Sequence, residues 1–362
     1  MAPTLPGTAA RRSAGRRPAP SPLRLLAAGL DPWGRTGPVA FAAVALPVAG
    51  LWSLRAWGPE VIPGWSRGWE ALAALPLALL LVPALGHAFR RLDDAGLRGW
   101  WAWLLLVPGA RAALLAALVL WPPSQRRRAG SGASRLLALG AAGAASLALA
   151  LSLLWTTVPV AAGGMAPALL PGDQALLRRA PLALRRGDVV AFRLGAGGEA
   201  RVARVIALPG ERVAVAEGVP VIDGAPAARA EDGWWTRPFA EEGPRGVMPI
   251  CGNGAVGLGA PCVTRRLRET LPGGATFAVL DAGPRPLDDM AEAPVPPGAI
   301  FVMGDHRDEA QDSRRAVGAQ GTGTVPLSAV LGRVDRVLLS TSAASPWDPR
   351  GWRPGRTGER VE

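Results

Sequence analysis

Apolar residues along the chain fall into two regimes that change near Val160. Before it they come in long runs: residues 38–57 and 71–88 are each nearly free of charge and close to the ~20 residues that cross a hydrocarbon core of about 30 Å. A third run, 100–121, is long enough, but Pro108, Gly109 and Arg111 interrupt it near its middle. A fourth, 136–158, is rich in Ala and Leu. Four such runs so close together predict membrane-crossing helices and not the buried helices of a soluble protein. After Val160 the runs shorten to ALLRR, DVVAFRL, ARVARVIAL, RVAVAEGVPVIDG, TFAVLD, AIFVMGD and AVLGRVDRVLLS, divided by Gly and Pro, and helical periodicity is weak. These β-branched runs predict a β-rich domain, with VIDG as a strand ending in a tight hairpin turn. The expected fold is an α-helical transmembrane N-terminal half followed by a mainly-β C-terminal domain. Its expected segments are a basic cytoplasmic stretch (1–37), a multi-span domain (38–125), an anchor (136–158), the β domain (161–340) and a flexible tail (344–362).

Composition narrows the chemistry. The chain has 362 residues, 40 basic against 28 acidic side chains and a net charge of +12, with no lysine and no tyrosine. No mechanism that needs a lysine amine can run on this chain alone. Two cysteines exclude a disulfide-dense scaffold, and two distant histidines offer no metal site, so no metal and no cofactor are expected.

The excess of Arg flanks the apolar runs. Arg11, Arg12, Arg16, Arg17, Arg24 and Arg35 precede the first, Arg90, Arg91 and Arg98 follow the second, and Arg126, Arg127, Arg128 and Arg135 precede the last. That is the basic flanking of membrane segments; the expected partner is the lipid bilayer and not nucleic acid. The Pro/Arg-rich N-terminal run lacks the compact apolar core of a cleavable signal peptide. Clusters on both sides of the run 100–121 should stay cytoplasmic together. The expectation is therefore a hairpin folded at Pro108-Gly109, three true crossings and an exported C-terminal domain.

Residues 89–108, FRRLDDAGLRGWWAWLLLVP, resemble a small bacterial inner-membrane family, domain of unknown function 805. Asp93 stands where that family has His. The resemblance covers about residues 30–125 and implies no reaction. Arg90 and Arg91 can pair with Asp93 and Asp94 at the membrane surface, and Trp100, Trp101 and Trp103 suit an interfacial belt, so anchoring is the expected role. His87 reads as a helix-end residue.

In the second half, GGMAPALLPGDQALL (163–177), RRGDVVAFRL (185–194), ARVARVIALPGERV (200–213), VPPGAIFVMGDHRDEAQDSR (295–314) and VPLSAVLGRV (325–334) follow one another in an order that resembles a bacterial type I signal peptidase of the Ser/Lys endopeptidase class. The match spans roughly residues 150–340. It implies a membrane-bound protein of the export pathway, at the bacterial inner membrane with its β domain outside, acting on signal-peptide or preprotein segments. In that family a Ser before the Met of the first box is the nucleophile. A Lys before the Arg of the third box is the base, which desolvation keeps neutral. A second Ser two residues earlier helps bind the oxyanion, and a Ser in the GDNRDNSxDSR box holds the lysine.

Carried over position by position, the nucleophile is Gly164, the base Ala203, the oxyanion Ser Ala162 and the lysine-holding Ser Ala310. The scaffold of the boxes remains: Met165, Pro167, Leu169, Gly172 and Asp173; Gly187 and Asp188; Arg204, Pro209 and Gly210; Gly304, Asp305, Arg307, Asp308, Asp312, Ser313 and Arg314. These are turn glycines and prolines and pairable Asp and Arg side chains. His306, at a family Asn, and Ser313 are the one pair that a relocated mechanism could use. The plainer reading makes His306 a surface or hydrogen-bonding residue.

Cys251 and Cys262 bracket the loop GNGAVGLGAP and form a candidate disulfide in an oxidising compartment; free thiols are the alternative. The tail from Ala344, rich in Trp, Pro, Gly and Arg, reads as poorly ordered. Three functional readings follow. The chain is a signal-peptidase homologue that has lost catalysis and still binds signal-peptide-like segments, or a working signal peptidase with relocated residues, or a membrane scaffold or transport subunit acting through its N-terminal domain.

Overall fold

The computed structural model describes residues 21–31, 35–61, 67–97, 101, 108–120, 122, 132–179, 183–195, 198–317, 321–345 and 348–361. They divide into two compact units, Met1–Leu153 and Leu154–Glu362.

The first unit is helical: α1 (Pro22–Gly29), α2 (Pro38–Val61), α3 (Arg67–Asp94), α4 (Pro108–Leu120) and α5 (Gly132–Leu154). Phe41 and Ala45 of α2, Ala88, Phe89 and Leu92 of α3, and Leu114 and Leu118 of α4 form its core. The outward positions are apolar as well, Leu46, Leu72, Leu75, Leu79, Leu147 and Leu151 among them, where a helix in water would carry polar groups. Pro38–Arg55 and Leu72–Asp94 are long and apolar enough to cross a membrane by length and composition; the apolar part of α5, Leu139–Leu154, is shorter.

The structure bears on three expectations here. Helix α5 stops at Leu154 and the rest of the anchor, Trp155–Val158, belongs to strand β1 (Trp155–Pro159), because an aromatic, two Thr and a Val favour the pleated backbone. In the run 100–121, helix α4 begins at Pro108, a position that suits proline since the first helical N–H has no partner to lose; residues 102–107 lie outside the described residues, as do Trp100 and Trp103. The Arg-Arg-Leu-Asp-Asp stretch is inside the unit and not on its surface. Arg91 is 0% exposed and donates from Nε to Leu118 O at 2.7 Å, and Arg90 donates to Asp31 O at 2.7 Å. His87, within α3, meets Thr36 Oγ1 at 3.1 Å through Nδ1 and donates from Nε2 to Leu25 O at 2.8 Å. A Cβ on Gly86 would lie 1.8 Å from Gly29 O, so only glycine lets α1 and α3 approach this closely.

The second unit is mainly β, with β1 (Trp155–Pro159), β2 (Asp173–Arg179), β3 (Val189–Arg193), β4 (Ala200–Ala207), β5 (Arg212–Ala216), β6 (Val219–Ile222), β7 (Ala225–Pro226), β8 (Ala228–Pro238), β9 (Pro261–Thr270), β10 (Thr276–Asp281), β11 (Met290–Pro294), β12 (Ala299–Met303), β13 (Val325–Pro326) and β14 (Val330–Ser340). The large sheet runs β1-β2-β14-β3-β4-β12-β13, beside a three-stranded sheet β10-β9-β8 and a four-stranded sheet β11-β5-β6-β7. Leu177, Val190, Phe192, Val205, Ile300 and Val337 fill a core on the large sheet, and Ile206, Val213, Leu267, Val279 and Phe301 fill a second one. The Asp223-Gly224 turn joins β6 to β7 with φ of 50° and 79°, the paired positive values of a two-residue hairpin. Cys251 and Cys262 are joined by a disulfide.

The C-terminal tail is not loose. Within residues 348–361, Gly358 N–H donates to Val337 O at 2.8 Å, Val337 N–H donates to Glu359 O at 2.9 Å, and Val361 packs on the large core. Its composition suggested disorder, but its arginines find buried acceptors.

Candidate functional site

Strand β1 ends at Pro159, and Ala162, with extended backbone, leads into a single 3-10 turn, Gly163–Met165. This turn faces β4 and the loop after β12 across a cleft of about 390 Å³. Ala162 and Gly164 at the first box, Ala203 in the third and Ala310 in the box that ends at Arg314, brought together from three separate stretches, all line it. Among the described residues, no Ser, Thr, Cys or His lines the cleft. Gly164 and Ala310 abut: a Cβ on Gly164 would lie 3.0 Å from Ala310 Cα and 3.3 Å from its Cβ. Ala203 is 4% exposed, its side chain part of the large core.

Around this bare floor the scaffold residues are paired and buried. Arg204 grips Asp305 with two hydrogen bonds, Nε to Oδ1 at 2.7 Å and Nη2 to Oδ2 at 2.6 Å, and donates a third to Gly187 O at 2.8 Å. Its guanidinium also lies over the Phe277 ring, 4.1 Å from the centroid. Burial pushes the Asp305 carboxyl up against the opposing pull of Arg204. Arg307 reaches Glu269 Oε1 at 2.5 Å, and Arg229 holds the other oxygen at 2.9 Å. Burial alone would raise Glu269, and the two guanidinium groups together hold it below the usual carboxylate range.

Asp312 accepts from Gly304 N–H at 3.0 Å and from Arg314 at 3.0 and 2.9 Å, which fixes the loop that ends the cleft. Pro209 and Gly210 form the turn between β4 and β5, Gly210 at φ 89°. Asp173, with Gly172 before it at φ 87°, closes the loop that carries Pro167 and Leu169.

The two residues of the imagined relocated mechanism are elsewhere. Ser313 Oγ accepts from Val302 N–H at 3.0 Å and donates to Gly323 O at 2.6 Å, a structural role inside the loop. His306 is no surface residue: it is 0% exposed, and burial, with Arg237 nearby, pushes its pKa down to about 4. Neither lines the cleft.

Glu309 does, and sequence reasoning passed it over. Its Oε2 lies 3.8 Å from His306 Nε2 and 3.6 Å from Arg237 Nη2. A Cβ on Gly163 would fall 2.0 Å from Oε1, so a side chain there would push the Glu309 carboxylate out of this position. Burial raises its carboxyl pKa above the ordinary glutamate value, against the pull of Arg237. The signal was present: Glu309, like His306, stands at an Asn of the GDNRDNSxDSR pattern. Glu199 and Arg245 also line the cleft, joined by bonds of 2.8 and 2.9 Å. Among the described residues no group of three or more His, Cys, Asp or Glu side chains could hold a metal ion.

The arrangement can hold an extended chain. Strand β12 pairs with β4 at Arg204, Val205 and Ala207, so Ala200–Ala203 has β3 on one edge and the cleft on the other. An unpaired strand edge offers backbone donors and acceptors to a guest strand.

Residues 37–130 match a family described as "Protein of unknown function (DUF805)". No curated protein matches the chain. A solved signal peptidase I from Enterococcus faecalis V583 is 20% identical, with 43% of this chain and 99% of that chain covered and a TM-score of 0.23. The family model "Signal peptidase, peptidase S26" matches residues 133–339, more than half of the chain, and by that match the protein belongs to the S26 signal peptidase family.

Proposed function

We propose that this chain is a catalytically impaired member of its family, which binds signal-peptide-like segments in its cleft without cutting them. One observation carries the reading: the four positions that would hold the nucleophile, the base and their two supporting hydroxyls converge on a cleft as Gly164, Ala203, Ala162 and Ala310, next to the open edge of β4. Acyl transfer needs a nucleophile with a base in reach, whereas strand addition needs only backbone groups and room for side chains. The test is equilibrium binding of a labelled extended peptide with small residues at alternate positions to the full chain in detergent. Saturable binding with the peptide recovered intact supports the reading; no binding sinks it.

The same reading puts the β unit on the outer side of a bacterial inner membrane, with several crossings before it. The apolar helices, the basic flanks and the disulfide support this. Reporter fusions at Ser131 and Gly233 should report cytoplasm and exterior respectively; a cytoplasmic signal at Gly233 contradicts it.

A further inference from the structure

The loop that leads from the cleft floor back into the large sheet, residues 163–173, is tied at its cleft end by His306 N–H, which donates to Gly164 O at 3.0 Å. Ala166 N–H donates to Gly163 O at 2.9 Å and Leu169 N–H to Met165 O at 2.8 Å, and the far end closes when Leu170 N–H donates to Asp173 Oδ2 at 2.8 Å. Asp173 is 0% exposed, and a buried carboxylate stands only with its charge compensated. Ser340 Oγ gives it one hydrogen bond at 2.5 Å, and the cations within 4.0 Å among the described residues are Arg356 and Arg353. Both come from the C-terminal segment, beyond the last residue of the family match.

Arg356 Nη2 donates to Asp173 Oδ2 at 2.8 Å and to Ala168 O at 2.9 Å. Arg353 Nη2 donates to Pro171 O and, at 2.8 Å, to Thr341 O, and lies 3.8 Å from Asp173 Oδ1. The segment is itself fixed to β14, where Arg353 N–H meets Ser340 O at 2.9 Å. The loop lies flush on this base: a Cβ on Gly172 would sit 1.9 Å from Thr341 O.

We propose that the C-terminal segment is a clamp on the cleft, and that Arg353 and Arg356 are positioning residues which hold the loop bearing Gly164 and Met165. Two guanidinium groups reach a carboxylate and two carbonyls within six residues of that loop, so the segment holds its far half from behind while His306 N–H holds Gly164 from the other side. The consequence for ligand binding rests on the proposed function; the clamp does not.

Amide hydrogen exchange on the full chain in detergent, with R353A/R356A and R356K, tests it. The double variant should speed exchange at Ala166, Leu169 and Leu170 by about 10-fold or more and leave the β8–β9 amides unchanged, with R356K in between. Peptide affinity should fall with it. No acceleration, or equal acceleration in both places, overturns the clamp. Should the double variant fail to fold, R356Q is read by the same amides. Faster exchange in a protein that binds no peptide in any form keeps the clamp and removes the peptide reading.

Discussion

The ion pairs behind the cleft and the side chains in front of it have had different fates. Behind it Arg204–Asp305, Arg307–Glu269–Arg229 and Asp312–Arg314 are paired within a few per cent of complete burial, apart from Arg229. In front, Ala162, Gly164, Ala203 and Ala310 carry no polar side-chain atom at all. The difference separates two kinds of constraint. A buried pair cannot lose one partner without leaving an uncompensated charge, so its members are held together by folding itself. A nucleophile and its base hold nothing up: replaced by Gly and Ala they leave the turn, the strand and the core intact. On the proposed reading, a family fold outlasts its chemistry when only the second group changes.

The comparison breaks first at Arg204. Arg204→Ala strands Asp305 in the interior and should cost ~3–5 kcal/mol in denaturant unfolding of the full chain. A loss under about 1 kcal/mol would show that the pair is not what supports the loop.

His306 sharpens it through pH. Its folded pKa of about 4 lies below the ordinary 6.5, so the fold disfavours the charged form. The stability it contributes is complete above pH 6.5 and declines as pH falls toward 4, by about 3 kcal/mol in all. His306→Asn should flatten that window in a series of thermal melts; an unchanged slope places the titration elsewhere. The smallest effect belongs to the cleft wall. Ala162→Ser adds a hydroxyl at an exposed position and should move stability by no more than about 0.5 kcal/mol, measured in the same melts.

Much of the β unit was legible in the chain. Val-, Ile- and Leu-rich runs became β2, β3, β4, β10, β12 and β14, because strands buried in a core must be apolar. Strand β8 was not, since Ala228–Pro238 is exposed along most of its length and shows no alternation. The tail was misread from its composition, which cannot tell a solvated arginine from one that neutralises a buried aspartate. Burial of His306 was equally hidden, and the Arg-Arg-Leu-Asp-Asp stretch looked like a surface anchor because its acceptors, Leu118 O and Asp31 O, are backbone carbonyls with no sequence signature. The convergence of the four bare positions was legible only through the resemblance of the boxes to one family.

The central claim is that the cleft is kept and its chemistry removed. The direct measurement is cleavage of a preprotein by the purified full chain, beside Gly164→Ser/Ala203→Lys and the same pair with Ala162→Ser and Ala310→Ser. A new Cβ at residue 164 must displace Ala310 by a few tenths of an ångström, so modest activity is expected of the re-armed forms. The account predicts an inert natural chain and cleavage gained by the fourfold variant. Cleavage by the natural chain after a small-residue site would contradict it.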